Sequence, residues 1–255
     1  WVHQIFYANH DVRGNIRFWK SDSLDNKFRW IVYDTDLGFQ IGDHRDNMIK
    51  DFTSPYMTKW YNPQWATLIL RNLLKNKEFE TDFINQFFWL TSNKLTSEYL
   101  TNRIDWFEKI YDEEMKIHFT RTTNRSLSDR WYHLERIGRN HEYRKKEVNE
   151  LKLIALKRPS YFLKHLKKKF KIETYLLNIN IIGKEHGNIT INKNVLEKSN
   201  LSALFSKKHK LPIEVIPNEG YQTNFNQKFI QTERDTLNID ITFKKIPKKY
   251  WWRED

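Results

Sequence analysis

The chain has no cysteine among its 255 residues. That excludes disulfides, thiol catalysis and cysteine-ligated zinc, and it suits a bacterial surface protein as well as a cytosolic one. Glycine and proline are scarce, seven and six, which argues against a repeat or low-complexity architecture. No run of uncharged apolar residues approaches the roughly 18 to 20 needed to cross a bilayer. The nine histidines never fall into an HxH or HExxH spacing, so a zinc site has little support. A Gly-x-Ser-x-Gly elbow and a Walker loop are missing too, and hydrolase and P-loop readings lack their signatures.

Aromatic residues are abundant instead: ten Trp, twelve Tyr and seventeen Phe, more than a disordered chain carries. A chain of this length can bury a sizeable core. Positive charge is the other excess, +12 net. It is concentrated between Arg139 and Lys171, where twelve Lys and Arg face three Glu. Such a strip attracts phosphate backbone or an acidic surface, and the same residues also read as solvated helix faces and last-turn cations favoured by the helix dipole. No nucleic-acid motif accompanies the charge, so nucleic acid is not the expected partner. A basic flank that steers an acidic protein substrate is the more useful reading.

The segment from Asn9 to Phe39 carries the chemistry. Asn15-Ile16-Arg17-Phe18-Trp19 and Phe28-Arg29-Trp30-Ile31-Val32-Tyr33 alternate bulky and polar residues around a turn-rich Ser21 to Lys27, which predicts an antiparallel hairpin. Asp11 lies just before the first strand and Asn15 opens it. Asp34 and Asp36 follow the second strand two residues apart, and on an extended chain they share a face. Carboxylates so close repel unless a cation, proton or water lies between them. A hard cation held by one or two carboxylates, an amide oxygen and substrate phosphates is how Mg²⁺ is usually bound, and a nearby acid can accept the proton of an attacking hydroxyl. Asp, Asn and Gly also gather at strand ends as turns and caps; spacing alone leaves both readings open.

Asn9-His10-Asp11, Gly14 to Trp19, Phe28 to Ile31 and Tyr33-Asp34-Thr35-Asp36-Leu37-Gly38-Phe39 resemble the CotH kinase family, the spore-coat-type atypical protein kinases. The likeness continues through Trp65 to Asn76, Phe79 to Phe87 and Arg158-Pro159-Ser160-Tyr161-Phe162-Leu163, covering about residues 1 to 172. The resemblance implies ATP and Mg²⁺ or Mn²⁺ as cofactors, phosphorylation of Ser or Thr on a secreted or coat protein, and an extracellular or cell-surface bacterial location. By position, Asp11 is the catalytic acid that orients and deprotonates the acceptor hydroxyl. Asn15 is the metal-binding carboxamide, Asp34 the main metal ligand and Asp36 a second one. The Asp11 to Asn15 spacing is one residue shorter than in the ordinary kinase catalytic loop. The family's preceding region, which supplies much of the nucleotide pocket and a phosphate-pairing Lys, is absent before Trp1. An amino-terminally truncated fragment, weak in ATP binding and turnover, is therefore expected.

Residues 40 to 63 read as a loop leaving the metal site, with Asp43, His44, Arg45 and Asp46 as candidates for contacting substrate or metal. His10 adjoins Asp11 as a candidate to fix its loop. Helical spacing follows at Trp65, Leu68, Ile69 and Leu73, at Phe79, Phe83, Ile84 and Phe87, and at Leu100, Ile104, Phe107, Ile110 and Tyr111; each set is expected to face a core. Asn124 to Ser128 breaks the pattern and caps a helix bearing Trp131, Leu134 and Ile137, with Val148, Leu151, Ile154 and Ala155 recurring later. Pro159 is expected to start a last short helix. After Ile172, period-two alternation at Tyr175 to Ile182, Asn188 to Asn192, Leu211 to Ile216 and Thr236 to Phe243, with turns at Gly183, Gly187 and Gly220, predicts a small β module that binds or spaces rather than catalyses.

The expected fold class is α+β: the carboxyl-side part of a kinase-like domain over residues 1–172, a β-rich accessory module over 173–246 and a tail over 247–255. The expected activity is a CotH-type protein Ser/Thr kinase. A non-catalytic surface scaffold for an acidic partner is the alternative, and a metal-dependent nuclease a further one.

Overall fold

The computed structural model describes residues 1–15, 17–39, 43–56, 59, 63–123 and 141–247. The expected break at Asn124 to Ser128, the Trp131, Leu134 and Ile137 stripe and residues 248–255 of the expected tail lie outside them. The architecture is mixed α+β, as the residue patterns predict. It divides into two compact units, one of Trp1, His3–Leu70 and Asn93–His165, the other of Val2, Arg71–Ser92 and Leu166–Asp255.

In the first unit a short helix α1 (Val2–Phe6) precedes a hairpin of β1 (Arg17–Trp19) and β2 (Arg29–Ile31), antiparallel with Phe18 opposite Trp30. The strands are shorter than the alternation suggests, because Val32 to Tyr33 leave the ladder before the bend at Asp34, which has φ 48°. Helix α2 (Met48–Thr53) is capped by Asn47, whose side chain accepts from the Lys50 amide at 3.1 Å, and ends before Ser54-Pro55 with Ser54 extended. Proline disfavours helical geometry in the residue before it. Phe6, Phe39 and Phe162 meet edge to face around the buried Ile5, Met48, Ile49 and Phe52. Helix α3 (Leu68–Leu73) corrects one expectation. It buries Leu70, while Trp65, Leu68 and Ile69 are exposed.

Helix α5 (Ser97–Thr123) starts at Thr96, whose hydroxyl accepts from the Tyr99 amide at 3.1 Å, an ordinary N-cap. It runs antiparallel to α6 (His141–Phe170): Lys152 bridges Asp105 and Glu108, both at 2.7 Å, and Arg144 meets Asp112 at 2.9 Å. Polar pairs fill the facing sides, so Phe107, Ile110 and Tyr111 turn outward instead of forming the expected core stripe. Those pairs also neutralise part of the basic strip. Pro159 does not start a helix but sits inside α6. Proline leaves the Ala155 carbonyl without its helical donor; the next carbonyl, of Leu156, accepts from the Ser97 hydroxyl at 2.7 Å. Burial of Ala155 and Phe162 on either side offsets the defect. The helix closes with Lys171 at φ 51° and a bond from the Ile172 amide to the Lys167 carbonyl at 3.0 Å, a Schellman ending.

The second unit contains two four-stranded sheets. One has the order β6 (Asn200–Ser206), β3 (Thr174–Ile182), β10 (Thr236–Lys245), β8 (Tyr221–Thr223), with β3 and β10 parallel. The other runs β5 (Asn194–Val195), β4 (Gly187–Ile191), β7 (Leu211–Pro217), β9 (Phe229–Ile230). All four expected strands are present. The segment Asn200 to Ser206, with Leu201, Ala203 and Phe205 buried, adds β6, a strand not expected from the sequence. Helix α4 (Lys77–Asn93), capped by Asn76, packs Phe88 against Phe205, and Asn85 donates to the Lys210 carbonyl at 2.9 Å. Its Phe83, Ile84 and Phe87 are buried as the spacing predicts. Gly183 and Gly220 take left-handed φ of 73° and 79° in turns, but Gly187 is an extended strand residue. It is glycine for space: a Cβ there would lie 2.1 Å from Phe243 Cε1.

Candidate functional site

Helix α1 ends in a left-handed Ala8, φ 52°, which turns the chain into Asn9-His10-Asp11. Asn9 is fully buried and joins three segments. Its Nδ2 donates to Gln4 Oε1 at 2.7 Å and to the Asp34 carbonyl at 3.4 Å, and its Oδ1 accepts from the Asp11 amide at 3.0 Å. One carboxamide therefore ties the helix, the loop of the catalytic candidate and the strand exit of the metal candidate. Asn15 Nδ2 donates to Asp11 Oδ2 at 2.9 Å, so the expected acid and carboxamide do meet.

The strand exit is held from behind. The Phe39 amide donates to the Tyr7 carbonyl at 2.8 Å, and at Gly38 an added Cβ would come within 2.9 Å of the Thr35 carbonyl oxygen and 3.0 Å of that of Tyr7. Ala8, Asp34 and Phe39 all have positive φ. Such backbone is retained where surrounding contacts over-determine it, and it clusters at functional sites.

Asp34 and Asp36 are brought together by this bend, not by the alternation of an extended strand. Their side chains share a hydrogen bond, which raises the Asp34 carboxyl above its ordinary range; desolvation and the negative charges of Asp36 and Asp11 push the same way, while Arg17 opposes them. Two carboxyls bonded to each other need a shared proton or a cation. Oxygen donors of this kind fit a hard divalent ion. Among the described residues no three acidic or histidine side chains form a cluster. The oxygen donors present are those of the Asp34 and Asp36 pair, with the Asp11 and Asn15 pair beside it.

The loop candidates have other occupations. Asp43 is engaged by the Arg45 guanidinium and by His44 Nδ1 at 2.9 Å, which pulls its carboxyl down to about 2. The Asp46 carboxylate lies 3.6 Å from Nε2 of the buried His10. Asp43, His44 and Arg45 are thus bonded to one another, and Asp46 alone among the four faces His10. A cavity of about 180 Å³ opens next to the site, with Trp1, Val12, Trp30 and Val32 as apolar walls and the amides of Gln4 and Asn15 on its lining.

Two residues were not singled out from sequence. Asn9 carried a signal, an amide directly before His-Asp. Arg158 carried a weaker one, a charge directly after Lys157 in a stretch that includes Ala155, Leu156 and Phe162, and its guanidinium is buried against four main-chain carbonyls.

An acid and a carboxamide in bonding contact thus lie next to paired carboxyls at a strained strand exit. The family model described as CotH kinase protein matches residues 1–162, and the chain belongs to the CotH kinase family. No curated protein and no solved structure matches it. Among the described residues no helix is long and apolar enough to cross a membrane.

Two results are expected at this site. Replacing Asn9 by Ala leaves the Asp11 amide without its acceptor and should cost about 2 kcal/mol in denaturant unfolding; unchanged stability would show that Asn9 is not the hub. The second concerns pH. Asp34 binds its proton more tightly in the folded chain than in the unfolded one. Its contribution is therefore favourable below its ordinary 3.8 and is lost as pH rises through the raised folded value. Asp34→Asn should melt at a higher temperature than wild type at pH 7 and at the same temperature at pH 3. Mg²⁺ at pH 7 should stabilise wild type more than the variant, and equal increments would remove this pair as the cation's seat.

Proposed function

We propose that the chain is a protein Ser/Thr kinase of the CotH type, dependent on ATP and on Mg²⁺ or Mn²⁺, acting on secreted or surface proteins outside a bacterial cell. The observation that carries this reading is the Asp34 and Asp36 carboxyl pair set beside the bonded Asp11 and Asn15 in a chain of this family. Asp34 and Asp36, with the Asn15 amide oxygen, would hold the cation. When bound, that ion neutralises phosphate charge and aligns the transferring group.

Asp11 supplies the acid–base function. Its amide is fixed by Asn9 and one carboxylate oxygen by Asn15, so the side chain is pre-oriented to accept the proton of a substrate hydroxyl. The apolar cavity beside Asn15 suits a flat ring such as a nucleotide base. The net charge of +12 favours an acidic protein substrate.

The test is transfer of label from γ-labelled ATP, with Mn²⁺ or Mg²⁺, to the protein itself or to a Ser-rich acidic protein. Label incorporation that requires the metal supports the reading. Salt-sensitive binding to acidic proteins with no transfer under any metal would favour the scaffold alternative instead.

A further inference from the structure

Arg158 is 1 % exposed, yet no carboxylate lies within ion-pair distance among the described residues. Its donors go to main-chain carbonyls: Nε to Phe6 at 2.8 Å, Nη2 to Ile5 at 2.9 Å, and Nη1 to His44 at 3.0 Å and Asp46 at 2.7 Å. Burying a cation without a paired anion is costly. Burial lowers its pKa to about 10, with Asp46 and Asp43 opposing the shift. Structural arginines ordinarily meet a carboxylate. This one is spent on holding backbone.

The two backbone segments matter by where they lead. Ile5 and Phe6 are the last residues of α1, and five residues on is Asp11. His44 to Asp46 follow the Asp34 to Phe39 exit, and the Asp46 carboxylate faces His10 across 3.6 Å. We infer that Arg158 is a positioning residue for phosphoryl transfer, its guanidinium fork clamping the segment that enters Asp11 to the segment that leaves the Asp34 and Asp36 pair. The inference rests on the kinase reading of that site. Only a planar fork serves here: a lysine ammonium presents its donors from one point and cannot reach both segments with the same geometry.

The test uses Arg158→Lys and Arg158→Met in the whole protein, with Arg158→Lys as the variant that keeps the charge and the fold. Amide hydrogen exchange should speed up at least tenfold in residues 5–11 and 43–47 of Arg158→Lys, with the strands Thr174–Ile182 and Thr236–Lys245 unchanged. In the transfer assay kcat should fall about 10- to 100-fold, the size expected of a misplaced reacting group, with KM for ATP within threefold of wild type. Wild-type exchange and wild-type kcat in Arg158→Lys would overturn the inference. So would losses in both variants that only track the unfolded fraction, with exchange raised evenly along the chain. A wild type that transfers no phosphate overturns the kinase reading, and the exchange pattern still decides separately whether the clamp holds the two segments.

Discussion

Asp11→Asn and Asp34→Asn should each lower phosphoryl transfer by about 10²- to 10⁴-fold, the range that a positioned acid or base contributes. The two losses have different causes and can be told apart. Asp11→Asn removes the proton acceptor while keeping a side chain that Asn15 can still meet, so Mn²⁺ binding should survive. Asp34→Asn removes one carboxylate of the pair, and Mn²⁺ binding should fall together with transfer. Its melting temperature at pH 7 should nevertheless rise, because the mutual repulsion of the pair is relieved. A stabilised but inactive Asp34→Asn is the signature of a site that sacrifices stability for function. Transfer that persists unchanged in both variants would sink the kinase assignment.

Gly187→Ala should destabilise the β module by about 3 kcal/mol, the upper part of the range for overpacking a well-filled core. The backbone at Gly187 is extended, with φ −176°, so any residue can adopt it. The cost comes entirely from space. Three atoms of the Phe243 ring lie 2.1 to 2.6 Å from the position of an added Cβ, and Phe243 is buried. Phe243 belongs to β10 and Gly187 to β4, so this is where one sheet approaches the other within the unit. A Gly187→Ala/Phe243→Leu double variant should be more stable than the sum of the single changes, as contacting residues are not additive. Gly220→Ala is the contrast. No atom crowds it, but its φ is 79°, so its smaller loss reflects backbone strain. Wild-type stability in Gly187→Ala would show that the two sheets do not press together there.

The patterns that were legible in the chain are those whose cause is local. Period-two alternation gave the long strands β3, β4, β7 and β10 because each has one buried face. The spacing of Phe79, Phe83, Ile84 and Phe87 marked α4 for the same reason. The same helical spacing misled at Trp65, Leu68 and Ile69 and at Phe107, Ile110 and Tyr111, which lie exposed. Periodicity reports that a helix has an apolar side; it does not say that anything covers that side. Pro159 misled in the opposite sense. Proline favours a helix start, yet α6 runs through Pro159: burial of Ala155 and Phe162 offsets the lost bond, and the Ser97 hydroxyl bonds the next carbonyl, that of Leu156.

The sequence by itself determined that this is an α+β chain with a CotH-like segment, and it named Asp11, Asn15, Asp34 and Asp36 from residue type and order. Tertiary structure decided how they meet. Asp34 and Asp36 share a hydrogen bond because the chain bends at a left-handed Asp34, and Asp11 is aimed because the buried Asn9 and Asn15 each take one of its groups. Arg158 became visible only in three dimensions, some 150 residues from the carbonyls of Ile5 and Phe6. The physical reason is that a functional side chain announces itself by its chemistry. The groups that hold it act through backbone carbonyls and amides, which every residue carries and no sequence distinguishes.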